Sequence, residues 1–315
     1  MVMHGEWQMK SAVSYHAGIP RVNKSPEKFA VLTNFIQGVN LKGDKGLNHN
    51  GFDIIDCDVA VLQGFVHEQS KNAPHLNLRR QVLENQKLKN KKTIVIDSNL
   101  FLFLSPGNQP FHYLRFSFDG VFRKTGFYFD KDIDPKRWAS IKQNLGIQVK
   151  PYQKEGKHIL ICLQRNGGWS MKNYDVMQFC NKAIKKIQSK TDRPIIVRGH
   201  PGDKKTHTYL KINFPNVQIS EPGRHIINDL DEAHATVVYN SSPGVASLIQ
   251  GVPVFQMDPD PECSMYSEIA NWDLENIDSP LYNDRQEWLE RISMCHWNFE
   301  ELKSGEAWEF IRNYV

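Results

Sequence analysis

Four stretches of this 315-residue chain hold side chains that could do chemistry together. Gln164–Ser170 reads QRNGGWS, Arg198–Lys204 reads RGHPGDK, Arg224 closes a Pro-Gly turn, and Asn240–Gly244 reads NSSPG. They supply the guanidinium groups of Arg165, Arg198 and Arg224 and the imidazole of His200. They add the amide of Asn240, the hydroxyls of Ser170, Ser241 and Ser242, the indole of Trp169 and the N–H of Gly244. Arginines and backbone N–H groups bind phosphate oxygens, and an aromatic wall receives a base, so the set suits a nucleoside diphosphate. Each group also has a plainer use: a solvated ion pair for Arg165, packing for Trp169, a turn for His200. Asp258 and Asp260, in DPDPE, read first as turn acceptors and second as contacts for a sugar hydroxyl or a metal.

These stretches matter only if strands bring them to one edge. Ala235–Tyr239 is short, apolar and β-rich and reads as a buried strand. Pro243 suits the first turn of the helix that follows, Gly244 permits close approach, and Val252–Met257 forms the next parallel strand. His158–Leu163 and Pro194–Arg198 are further strands, and Tyr174–Ser189 is an amphipathic helix between them. Strands alternating with helices predict a parallel sheet with ligands beyond its carboxyl ends.

The first half reads less cleanly. Phe29–Ile36 is expected as a strand, Gly38–Gly51 as a loop, Asp58–Leu62 and Thr93–Ile96 as buried strands with the helix Leu76–Asn90 between them. Asp97 ends one of these strands, His16 stands in the turn SYHAGIP, and Asp119 precedes a glycine. Phe101–Phe129 reads as loops and short strands, and Asp134–Leu145 as a helix with Pro135 in its first turn. Gly146–Gly156 is polar and reads as a linker, which gives domains 1–150 and 151–297. The tail carries Trp288, Trp297 and Trp308 and must pack on something.

The totals exclude several classes. Apolar content of 40% and runs far shorter than the ~20 residues of a membrane span give a soluble globular chain with no membrane partner. The first ten residues hold no signal-peptide core, so a cytoplasmic location is expected. Five scattered cysteines form neither a disulfide framework nor a metal spacing, and no metal is expected. A P-loop, a GxGxxG and a GxSxG are all absent, which disfavours kinases, common dehydrogenases and α/β-hydrolases. A net charge of +4 permits an anionic partner without requiring one.

HILICLQRNGGWS, IIVRGHPGD and VVYNSSPGVASLIQGVPVF together resemble the donor-binding domain of GT-B glycosyltransferases, of the capsule-polysaccharide and phage-encoded types. The resemblance covers about 157–315 and the first half in outline. It implies an α/β, GT-B-like fold of two Rossmann-like domains facing a cleft, with 298–315 crossing back to the first. It places the diphosphate on Ser241 and Ser242 and the phosphate-side loop at Arg198 and His200. It implies a nucleotide sugar, UDP-linked first, as donor substrate and no separate cofactor. No acid stands in Val245–Gln250 to hold the ribose. Transfer with inversion needs a base on the acceptor side, and Asp97 leads, followed by His16 and Asp119. The phage likeness makes a hydroxymethylated pyrimidine in double-stranded DNA the expected acceptor. The basic segment Leu76–Lys92, with Arg115, Arg123 and Lys124, would meet its phosphates. A surface or capsular polysaccharide is the alternative acceptor. A nucleotide-sugar epimerase and a non-catalytic nucleotide-binding protein are the rivals from other classes.

Overall fold

The computed structural model describes residues 8–20, 26–67, 70–101, 112–121 and 132–315. Arg123 and Lys124 lie outside them, as does the side chain of Trp169. The chain opens with β1 (Ser11–Tyr15), α1 (Pro26–Leu41), β2 (Lys45–His49), β3 (Val59–Gln63), α2 (Pro74–Leu88), β4 (Lys92–Ser98) and β5 (Leu114–Phe118). It continues through α3 (Pro135–Leu145), β6 (His158–Cys162), α4 (Val176–Gln188), β7 (Ile195–Arg198), α5 (Thr206–Tyr209) and β8 (Val217–Ile219). Then come α6 (Ile226–Leu230), β9 (Ala233–Val238), α7 (Pro243–Ile249), β10 (Val254–Gln256) and α8 (Gln286–Ser293). It closes with β11 (His296–Trp297), α9 (Phe299–Ser304) and α10 (Glu306–Ile311).

Two compact units result: Met1–Asn99 with Gly107–Lys131 and Met294–Val315, and Leu100–Pro106 with Asp132–Ser293. Helix α3, expected with the first half, groups with the second unit. Its N-cap is Asp134, whose carboxylate accepts from the Lys136 N–H, and Gly146 ends it in a left-handed conformation.

The sheet of the first unit runs β11-β5-β4-β3-β1-β2. Strands β2, β1, β3 and β4 are parallel, β5 pairs antiparallel with β4, and β11 pairs antiparallel with β5 and so runs the same way as the first four. Strand order reverses between β1 and β3, the switch point where such sheets open a crevice. Phe29–Ile36 lies inside helix α1, not in a strand. Its buried residues Val31, Leu32, Phe35, Ile36 and Val39 fall at helical spacing, a period that a short apolar run conceals. The expected loop at 38–51 holds the end of α1 and the edge strand β2.

The tail completes this unit's core. Trp308 meets the Phe35 ring edge-on with centroids 5.8 Å apart, and Trp297 contacts Phe310 at 5.4 Å. Buried Asp44 accepts from Trp308 Nε1 at 2.8 Å and from Arg312 Nε, which anchors α10 and the turn after it. Gly38 of α1 lets α9 approach: a Cβ there would lie 2.1 Å from the Leu302 carbonyl oxygen.

The second unit's sheet is wholly parallel, in the order β10-β9-β6-β7-β8. Its switch point lies between β6 and β9. Helix α4 buries Val176, Phe179, Cys180, Ala183, Ile184 and Ile187 against one face, each large apolar side chain contributing about 1.5–3 kcal/mol. All five cysteines are free and buried, and burial pushes the Cys162 thiol up to about 12. Among the described residues no helix is long and apolar enough to cross a membrane.

Candidate functional site

The switch point of the second sheet carries a built polar cluster. Gln164 leaves β6 and Asn240 follows β9, and the two side chains lock across the gap. Gln164 Nε2 donates to Asn240 Oδ1 at 2.7 Å and to Ser170 Oγ at 2.8 Å, while Gln164 Oε1 accepts from the Asn240 N–H at 3.2 Å. Asn240 Nδ2 donates to Asp258 Oδ2 at 2.8 Å and to the Ser170 carbonyl at 3.0 Å. Asp258 follows β10, and its side chain has 0% exposure. Its counter-ion is Lys172, at 3.3 Å, which also approaches Asp260 at 3.6 Å. Burial pulls the Lys172 ammonium down, but the Asp258 charge and hydrogen bond, with Asp260, outweigh it and hold the group above its ordinary value. Lys172 and Asn173 both have positive φ, so a tight backbone turn carries the ammonium over the strand ends.

Two expected loops meet beside this cluster. Arg165 Nη2 donates to the Gly202 carbonyl at 3.0 Å, and the Asn166 N–H to Asp203 at 3.1 Å. His200 Nδ1 accepts from the Gly202 N–H at 3.0 Å, which leaves the neutral ring's proton on Nε2. Burial, followed by the Arg165 charge, lowers the His200 pKa and favours that neutral ring. Asp203 takes the Tyr209 hydroxyl at 2.8 Å as well, so the loop is held from both sides.

Arg198 and Arg224 are employed differently from the phosphate clamp expected of them. Val197 packs in the α4-side core, so Arg198, one residue on, points to the opposite face. There its Nη1 meets Asp229 of α6 at 2.7 Å, and Arg224 Nε meets the other oxygen at 2.8 Å. Ser220 Oγ adds a third donor at 2.7 Å. Asp229 is 2% exposed, so two guanidinium groups share one buried carboxylate. Arg224 remains partly exposed at the carboxyl edge; Arg198 is an internal tie.

The NSSPG turn also divides its labour. Ser241 Oγ is turned inward and has no hydrogen-bond partner among the described residues. Ser242 is exposed and makes no capping bond, which leaves its hydroxyl at the strand end. Gly244 serves packing: a Cβ there would lie 2.5 Å from Tyr266 Cζ. The Tyr266 hydroxyl donates to the Ser241 carbonyl at 2.6 Å and fixes the turn from beneath.

In the first unit, Asp97 and His16 share the carboxyl edge of the sheet. Asp97 Oδ2 accepts from Arg115 Nη2 at 2.8 Å. His16, in the turn after β1, places Nε2 3.0 Å from Asn48 Oδ1, which also accepts from Ser14 Oγ at 2.8 Å. That carbonyl puts the neutral imidazole's proton on Nε2 and leaves Nδ1 as the lone pair. Strand β3 separates the two residues, a spacing of roughly 10 Å between strand axes. Asp119 joins neither. It follows antiparallel β5, accepts from the Thr93 N–H at 2.9 Å, and so stands at the amino end of β4.

Gln164, Lys172, Asp229 and Tyr266 escape the sequence reading. Gln164 carries the one usable signal, as the first residue after an apolar strand. Among the described residues no group of three or more His, Cys, Asp and Glu could hold a metal ion.

No protein-family model matches the sequence, and no curated protein matches it. Solved structures do. The KpsC beta Kdo 2,4 transferase of Thermosulfurimonas dismutans superposes with a TM-score of 0.57 at 14% identity, covering 92% of each chain. The KpsC beta Kdo 2,7 transferase of the same organism gives 0.50 at 12% identity, covering 97% of this chain and 100% of that one. The shared property is the fold: mixed α/β, GT-B-like, with two Rossmann-like units.

Proposed function

We propose that this chain is a nucleotide-sugar-dependent glycosyltransferase that adds a sugar to a growing surface or capsular polysaccharide. The observation that carries the reading is the polar cluster of Gln164, Asn240, Asp258 and Lys172 at the switch point of the second sheet. It stands where open α/β sheets take their ligands. The end-to-end fold likeness to two Kdo transferases supports sugar transfer as the chemistry.

The nucleotide sugar lies over the carboxyl ends of β6, β7 and β9, with phosphate oxygens near Arg165, His200, Ser242 and the exposed part of Arg224. A general base takes the acceptor hydroxyl's proton, a role for which Asp97 and Nδ1 of His16 are the candidates in the first unit. The hydroxyl oxygen attacks the anomeric carbon, the bond from that carbon to the phosphate oxygen breaks, and the nucleotide leaves with the electron pair. One displacement inverts the anomeric centre.

Several of the basic residues expected to meet DNA phosphates are engaged within the protein. Arg79 is buried and donates to the Gly18 and Phe65 carbonyls; Arg80 donates to Asn77 at 2.9 Å and to the Ser70 carbonyl. Lys89 and Lys91 both pair with Asp56, Lys92 approaches Asp119, and buried Arg115 holds Asp97. A phosphate-binding stripe needs cations free to release counter-ions.

The test is a transfer panel read by mass spectrometry. UDP-, GDP- and CMP-sugars are offered with acidic oligosaccharide primers and with DNA containing 5-hydroxymethylcytosine. Extension of a primer, abolished in Asp97→Asn or in His16→Ala, is the expected result and assigns the base. A sugar adduct on DNA alone returns the acceptor to a modified base. A changed free nucleotide sugar without any acceptor makes the protein an epimerase.

A further inference from the structure

Helix α4 presents its solvent face to a groove of about 850 Å³, walled opposite by Met257 and Trp272–Leu274. That volume lies within the range of roughly 300–1,000 Å³ typical of ligand sites. Gln178, Lys182, Lys185 and Ser189, the last just past the end of α4, recur every three or four residues, and Asn181 stands four before Lys185, so together they form one stripe. A polar helix face alone is ordinary. The wall opposite it is not, because Trp272 is 41% exposed and yet fixed on both sides.

Asn271, just before it, makes four hydrogen bonds: its N–H to Val254 O at 2.7 Å, its carbonyl from the Gln256 N–H at 2.9 Å, and both side-chain atoms to the backbone of Leu281. Asp273, just after it, accepts from the Glu275 N–H at 2.9 Å and so caps the next turn. Glu275 in turn takes Lys186 and Lys190, which clamps the wall to α4. The backbone on either side of Trp272 is thus held in place, with its partly exposed ring opposite amines. Lys182 and Lys185, both exposed, have no acidic partner among the described residues.

We propose that this groove binds an acidic oligosaccharide, a segment of the glycan that the enzyme extends. A sugar ring stacks on the Trp272 face, the Lys182 and Lys185 ammonium groups take its carboxylates, and the Gln178 and Asn181 amides take its hydroxyls. Among the described residues no arginine lines the groove and Trp272 is its one aromatic ring. Single-stranded nucleic acid uses guanidinium forks and successive stacking rings, so the lining fits it poorly. The occupant's identity rests on the polysaccharide reading. The groove runs along α4 from Gln178 and Met257, next to Asp258 of the donor cluster, and Trp272, Lys182 and Lys185 do not belong to that cluster.

Calorimetry on the full chain tests this with hexagalacturonate, neutral maltohexaose and a short oligothymidylate. Hexagalacturonate is expected to bind and the other two to bind at least about tenfold more weakly. Trp272→Ala should weaken binding roughly tenfold or more, as loss of an aromatic anchor does. Lys182→Ser with Lys185→Ser should weaken it and flatten its dependence on salt. Binding of UDP, GDP or CMP should be unchanged in all variants, which also reports that they fold. Equal binding of the neutral sugar, preference for the oligothymidylate, or indifference to both sets of substitutions overturns the proposal. Failure of sugar transfer with hexagalacturonate binding intact overturns the enzymatic reading alone.

Discussion

Asn240→Asp changes one terminal group and reverses its role. In the native cluster Asn240 Nδ2 donates to Asp258 Oδ2 at 2.8 Å and to the Ser170 carbonyl at 3.0 Å. The variant sets a carboxylate oxygen against both acceptors. Two unit charges 2.8 Å apart repel by about 6 kcal/mol at an effective dielectric of about 20. Lys172, 3.3 Å from Asp258, tempers this only in part. The protein escapes by keeping one proton on the pair. Protonating a carboxyl of ordinary affinity costs about 4 kcal/mol at pH 7 and about 1.5 kcal/mol at pH 5. The sign follows: the folded variant holds a proton that the unfolded chain has released. Its stability relative to the native protein therefore falls as pH rises from about 5 to about 7, by about 1.4 kcal/mol per unit. Urea unfolding of both proteins across that range measures the difference. Asn240→Ala, which adds no charge, is the control and should show a deficit that does not change with pH. A flat difference for Asn240→Asp would mean that Asn240 does not face the Asp258 carboxylate, and the donor cluster would have to be redrawn.

Two further outcomes test the first unit. Burial pushes the Asp44 carboxyl up, but hydrogen bonds from Arg312, the Lys10 N–H and Trp308, with the Arg312 charge, outweigh it and hold it below the ordinary carboxylate value. Its contribution to stability is complete above about pH 4 and is lost as acid protonates the folded state. Asp44→Asn should cost about 3 kcal/mol at neutral pH, as breaking a buried pair does, and should blunt acid unfolding. An unchanged acid midpoint would refute the assignment. Gly38→Ala drives a methyl to 2.1 Å from the Leu302 carbonyl oxygen and 2.8 Å from Gly305 Cα, both backbone. Forced separation of α1 from α9 should cost about 1–3 kcal/mol or more, visible as a lowered Tm; an unshifted Tm would show that the two helices do not touch there.

The sequence discloses strand ends better than it discloses what happens at them. Apolar, β-branched runs such as HILIC and ATVV announce β6 and β9 because a parallel strand buried on both faces tolerates little else. The residue after each run is therefore legible as an edge residue, as Asn240 and Asp97 are; His16 is legible only as a turn residue of SYHAGIP. Direction is not legible in this way. Asp119 also follows a strand, but β5 runs antiparallel, so the same signal points to the wrong edge. Side-chain partners are harder still. Arg198 reads as a phosphate ligand by type and position, and only the two-residue alternation of β7 together with Asp229, thirty-one positions away, turns it inward. Gln164 illustrates the converse. An uncharged amide draws little attention in a list of reactive groups, yet it both donates and accepts across the switch point, and it makes three of the bonds that join β6, β9 and the Ser170 turn. A carboxylate in its place would add a third negative charge near Asp258 and Asp260, against the single ammonium of Lys172. The neutral amide at position 164 spares the cluster that charge. A reading that weighs charges one at a time has no means of finding it before the fold brings the two strands together.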